Sequence, residues 1–152
     1  MPAEATPPEE EAPEEAIKRY RENFGTEIDG IAVYRMLADL EKVPARRKIF
    51  EELAEVEEHH ADVWRQKLRE AGVEAEERGH SIKARMIGVG ARVFGVRSVL
   101  PIVRSMEAGA FVAYMGQDEA AQAMAPDERE HRRTMSKLER GRDDAAPWSF
   151  EE

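Results

Sequence analysis

FEELAEVEEHHADVW, residues 50–64, is the stretch whose reading decides the fold. Three Glu (55, 57 and 58) and two His crowd its middle, in a chain where Glu is about one residue in six. Abundance alone therefore says little, and position has to decide. At about 100° per residue, Phe50, Leu53 and Trp64 share one side of a helix, with Leu68 continuing the stripe. Glu57 and His60 fall inside that apolar arc. His59 lands more than a quarter-turn outside it, Glu58 points away on the other side, and Glu55 and Asp62 also face outward. The spacing thus predicts a helix that turns one Glu and one His toward the core and leaves the others on the wet face.

Three more helices follow the same rule. Pro13 with Glu14 and Glu15 opens a first helix running to about Val43, acids in its first turn matching the helix dipole. Pro44 opens the second, which Gly72 closes. A connection from 73 to about 96 holds Gly79, Gly88, Gly90 and Gly95. A third helix is expected from Ser98–Pro101 to about Ala123, and a fourth from Pro126 and Asp127 to about Gly141. The stripes read Ile17, Tyr20, Phe24, Glu27, Ile31, Tyr34, Ala38; then Leu100, Val103, Glu107, Ala110, Tyr114; then Met124, Glu128, His131, Met135, Leu138. Every seam is apolar except in its middle, and every interruption is Glu or His. This is an all-α four-helix bundle with a long connection, itself open to being helical, between the second and third helices. The division predicted is a disordered acidic tail over 1–13, a bundle domain over 14–141 and a tail over 142–152.

Composition supports a single domain. The 152 residues are 41% hydrophobic and 36% charged, rich in good helix formers, with no apolar run of membrane-spanning length. Net charge is −9, but six of the acids lie in the first fifteen residues, and without them the remainder carries −3. That Pro/Glu-rich start lacks the basic-then-apolar pattern of a secretory leader. Acidity argues against nucleic acid as a partner. With no cysteine, disulfides, thiolate zinc sites and Cys-bound iron are excluded, so a metal here is bound by carboxylate and imidazole.

Four buried carboxylates are costly unless something positive sits among them. Two divalent cations would balance four Glu while leaving both His neutral. Oxygen and imidazole donors suit iron or manganese, and zinc can take the same set. Glu and His three apart project to the same side one turn apart, so Glu-x-x-His can place one bridging and one terminal ligand. Two helices with a lone Glu and two with Glu-x-x-His is the known ligand pattern of di-iron carboxylate bundles. The pair Glu77/His80 has the same spacing, but Gly79 separates it and no apolar stripe flanks it, so it is read as exposed linker. Glu27 and Tyr34 stand seven apart, as do Glu107 and Tyr114, which suggests an internal two-fold duplication. Tyr34 and Tyr114 are read first as core, and second as support beside the ligands. A plain bundle with a few buried polar groups setting register is the rival for any one of these Glu.

The stretches FGTEIDGIAVYRML, FEELAEVEEHHADVW, SMEAGAFVAYMG and DEREHRRTM resemble rubrerythrin-type ferritin-like domains, over residues 15–140. They are most similar to the soluble N-terminal domain of membrane-bound ferritins, where such a domain precedes a vacuolar-iron-transporter-like membrane domain. Matched residue by residue, the family's metal ligands fall on Glu27, Glu57, His60, Glu107, Glu128 and His131, the six that interrupt the seams. The resemblance implies a di-iron centre, oxidation of Fe(II) by dioxygen or peroxide, a role in iron detoxification or export beside a membrane transporter, a homodimer, and a place on the cytoplasmic side of a membrane. Two departures stand out. The sequence ends 21 residues after His131 without a transporter domain, so an excised domain or a stand-alone relative is expected. Ala110 also stands where many peroxidase rubrerythrins carry a further Glu, which speaks against efficient peroxide reduction.

From Arg78 to Met106 there are six basic residues (Arg78, Lys83, Arg85, Arg92, Arg97 and Arg104) and no acid. An amphipathic crossover covering the end of the bundle is the favoured reading, and a segment lying on anionic lipid the other. Three functional readings stay open at this point: a ferroxidase, an iron sensor without turnover, and a metal-free adaptor bundle.

Overall fold

The computed structural model describes residues 11–77 and 79–140. Most of the expected acidic tail, the 142–152 tail and Arg78 lie outside the described residues.

The described chain is all-α: α1 (Pro13–Leu40), α2 (Pro44–Glu70), α3 (Ile82–Phe94), α4 (Val96–Met115) and α5 (Glu119–Glu139). Pro13 and Pro44 stand at the start of α1 and α2, where a missing N–H costs nothing. The end of α1 comes at Leu40 rather than Val43, because Pro44 pushes the residue before it out of helical geometry; Val43 is extended at φ −83° and ψ 116°.

A further boundary differs from the sequence reading, and the long connection is partly helical, as the sequence left open. The connection after α2 contains a helix, α3, capped by Ser81, whose hydroxyl accepts from the Ala84 N–H at 3.2 Å. Gly95 at φ 91° separates α3 from α4, a conformation that side chains resist and glycine adopts freely. The break between the last two helices falls at Gly116–Asp118, not at Pro126. There Asp118 caps α5 by accepting from the Ala121 N–H at 3.1 Å. Pro126 lies inside α5 and Pro101 inside α4, each exposed. An interior proline removes one ladder hydrogen bond, but here a strong cap upstream sets where the helix begins.

Two helical hairpins result, α1 with α2 and α4 with α5, and α3 packs against α1 and α4 at one end. The core divides in two. One cluster holds Leu37, Phe50, Leu53, Ala84, Ile87, Leu100, Val103, Met135 and Leu138, at the α3 end. The other holds Phe24, Ile31, Ala61, Trp64, Leu68, Tyr114 and Met124. Trp64, Leu37 and Leu68 are fully buried, and each such side chain contributes about 1.5–3 kcal/mol through its lost water contact. Between the clusters lies a belt of buried polar side chains.

Candidate metal centre

Glu27 comes from α1, Glu57 and His60 from α2, Glu107 from α4, and Glu128 and His131 from α5; all six are buried. Their neighbours behave as the helical phase requires. His59, Glu55 and Asp62 are exposed, and half-buried Glu58 accepts from Arg35 at 2.7 Å. Glu77 of the look-alike pair accepts from Arg65 at 2.9 Å, away from the cluster.

Two overlapping groups form, Glu27, Glu57, His60 and Glu128, and Glu57, Glu107, Glu128 and His131. Within each group one ligand atom per residue lies within 4.8 Å of the others, and Glu57 and Glu128 belong to both. The distances repeat under an approximate two-fold. His60 Nδ1 stands 3.5 Å from Glu27 and 4.0 Å from Glu57; His131 Nδ1 stands 3.5 Å from Glu107 and 4.0 Å from Glu128. Across the hairpins, His60 Nδ1 faces Glu128 at 3.1 Å and His131 Nδ1 faces Glu57 at 2.9 Å.

The tyrosines cross in the same way. The Tyr34 hydroxyl on α1 donates to Glu107 on α4, and the Tyr114 hydroxyl on α4 donates to Glu27 on α1. Both tyrosines are core residues and also touch the carboxylates, so the preference for packing alone is corrected. Asp127 was missed as a partner of the site: its carboxylate meets His60 Nε2 at 2.9 Å while remaining half exposed. The sequence signal was its place directly before Glu128, which had been read as a helix start. Its two-fold counterpart, directly before Glu57, is Val56, so the second His lacks this partner.

Burial pushes the Glu57 carboxyl well above the usual range, helped by the charges of Glu27, Glu128 and Glu107. Glu128 is driven up by burial and by Glu107. Burial acts on Glu107 in the same sense, but the close Glu128, the facing His131 and the Tyr34 hydroxyl outweigh it and hold the group low. Burial disfavours charge on His60, yet the Asp127 hydrogen bond and the nearby carboxylates of Glu128 and Glu27 push it up to about 12. The His60 bond in turn holds Asp127 low. Burial raises both tyrosines, more so beside the carboxylates.

Four buried polar atoms of this cluster have no hydrogen-bond partner: Glu57 Oε1, Glu128 Oε1, His60 Nδ1 and His131 Nδ1. They are the atoms that face each other across the hairpins, close in distance but not aligned as hydrogen bonds. Buried polar groups are nearly always paired, and oxygen and nitrogen atoms aimed at common space are what a cation completes. The donor set, carboxylate plus imidazole without sulfur, fits a divalent first-row metal.

No curated protein and no solved structure matches the chain. Residues 14–87, spanning α1, α2 and the start of α3, match the family model described as Rubrerythrin, and the fold that carries them is an all-α, ferritin-like bundle.

Proposed function

We propose that this domain binds two iron ions through Glu27, Glu57, His60, Glu107, Glu128 and His131, and that it oxidises Fe(II) with dioxygen or peroxide. The observation that carries the reading is the set of four unpaired buried atoms on Glu57, Glu128, His60 and His131. Glu57 and Glu128, common to both ligand groups, would serve both ions, and Glu27 with His60 and Glu107 with His131 would each serve one. Manganese or zinc could take the same donors.

The chain's own residues hold these donors in place. With Asp127 ionised, the His60 Nε2–H donates to it, which leaves the Nδ1 lone pair for a cation. The tyrosine hydroxyls each take one oxygen of Glu107 and Glu27, and the other oxygen of each faces His131 Nδ1 and His60 Nδ1 respectively at 3.5 Å. The apolar clusters on both sides keep bulk water from the carboxylates. Iron held there would supply one-electron redox chemistry toward an oxygen species. A role in iron detoxification or export, beside a membrane transporter and as a homodimer, follows from the resemblance to membrane-bound ferritins.

The test is anaerobic loading of the purified chain with Fe(II), measurement of bound iron, then admission of oxygen under a near-ultraviolet spectrum. About two irons per chain and an oxygen-dependent ferric absorption are expected, with both lost in Glu57→Ala and His131→Ala. Iron retained without oxidation would leave a sensor. Binding no better than in the variants would overturn the metal reading.

A further inference from the structure

α3 is built inside out. It buries the small Ala84, Gly88 and Ala91 together with Ile87 and turns its other large apolar residues to solvent: Ile82 is 75% exposed, Met86 68%, Val89 60%, Val93 66% and Phe94 79%. At about 100° per residue, Ile82, Met86, Val89 and Val93 fall within an arc of about 60°, opposite the buried four. Small residues inside let the helix lie close on the bundle. A Cβ on Gly88 would stand 2.6 Å from Met36 Sδ, and the Ser81 N–H donates to Asp29 of α1 at 2.7 Å. The outer ridge is therefore presented on a fixed support.

Basic side chains flank the ridge on both sides, Lys83 on one and Arg85 and Arg92 on the other. None of the three has an ion-pair partner among the described residues. Arg97 and Arg104 are already engaged by Glu139. No acid lies between Gly79 and Met106.

We propose that this face of α3 docks the domain on an anionic lipid surface. The ridge enters the boundary between headgroups and acyl chains, and the long basic side chains reach back to the phosphates. At 13 residues α3 is an interfacial element, and no helix among the described residues is long and apolar enough to cross a membrane. A second copy set ridge to ridge by a two-fold would bring Lys83, Arg85 and Arg92 against their own counterparts with no acid to offset them. Nucleic acid would satisfy the charges and leave the ridge in water. The remainder of the chain is acidic, so the attraction is local and weakens with salt. The proposal goes beyond the metal centre and does not rest on it.

The full chain is to be sedimented with phosphatidylcholine vesicles, alone or containing phosphatidylglycerol. Binding is expected only to the anionic vesicles. Removing three cations near such a surface, Lys83→Ser/Arg85→Ser/Arg92→Ser, should weaken it about a hundredfold, at roughly fivefold per charge. Met86→Glu/Val93→Glu should abolish it, while circular dichroism stays unchanged because both positions are exposed. A Val89→Trp chain should show blue-shifted fluorescence on the anionic vesicles. Equal binding to both vesicle types, no binding to either, or binding indifferent to Met86→Glu/Val93→Glu would overturn the proposal. So would sedimentation equilibrium in which Met86→Glu/Val93→Glu splits a dimer while the unaltered chain ignores vesicles, since the ridge would then belong to a second copy.

Discussion

At the scale of single residues, the two ends of the polar belt are alike except at Asp127 and Val56. A carboxylate that holds an imidazole's far nitrogen orients the ring and raises its basicity, an effect of about 10–100-fold in metal affinity. On the proposed function, Asp127→Ala should therefore weaken one of the two metal positions by about that factor and spare the other, seen as two separated steps in a manganese titration followed by electron paramagnetic resonance. Equal weakening of both steps would contradict it. Gly30 offers a second case. A Cβ there would lie 3.2 Å from Glu57 Oε2, so Gly30→Ala should displace that carboxylate and lower metal affinity. The helix itself should gain about 1 kcal/mol from losing a glycine. A calorimetric titration and a melting curve on the same variant separate the two effects. The six belt residues were legible in the sequence because helical phase tells which side chains face inward. Asp127 and the tyrosine hydroxyls were not, because phase gives a face and not the atom met across it. Those meetings depend on how far one hairpin stands from the other.

At the scale of elements, the cap of α5 is the boundary that matters. Asp118→Ala removes the oxygen that holds the Ala121 N–H and the partner of Arg19 at 3.0 Å. The expected cost is about 1 kcal/mol, or a fall in Tm of about 3 °C for a domain of this size. Were the helix to open at Pro126, the substitution would be silent. Pro126 had drawn the boundary toward itself because proline opens helices more often than it sits within them. The Gly116–Asp118 turn outweighed it by supplying both a stop and a cap. α3 was legible only as an option for a related reason: Gly88 and Gly90 suit a loop, whereas Gly88 is where a helix comes close to Met36. The stripe of α2, free of glycine, was readable almost residue by residue, and that of α1 kept its phase across Gly25 and Gly30.

At the scale of the molecule, the belt governs response to pH. Glu57 and Glu128 titrate above their usual range in the fold, so what they contribute is present at low pH and lost as pH rises through the raised values. His60 acts in the same direction: its contribution is complete below its ordinary value of 6.5 and lost toward about 12. Glu107 runs the other way, but its contribution is lost only in acid. A chain stripped with chelator should thus melt at a lower temperature in mildly alkaline than in mildly acidic buffer. A flat or rising profile would contradict this. Iron loading should release protons, measurable with an indicator in weak buffer, because the same carboxyls must give them up. The approximate two-fold of the belt was hinted at by the equal Glu–Tyr spacings of the first and third predicted helices. The reciprocal crossing of the tyrosines was not, since it exists only between hairpins. The belt also parts two apolar clusters that would otherwise be one. A single oily core unfolds all at once; two cores joined through a polar partition share their fate only as strongly as the partition binds them. On the proposed function, hydrogen exchange should then find the two ends opening separately in the stripped chain and together in the loaded one, which would make the cation the source of the domain's cooperativity.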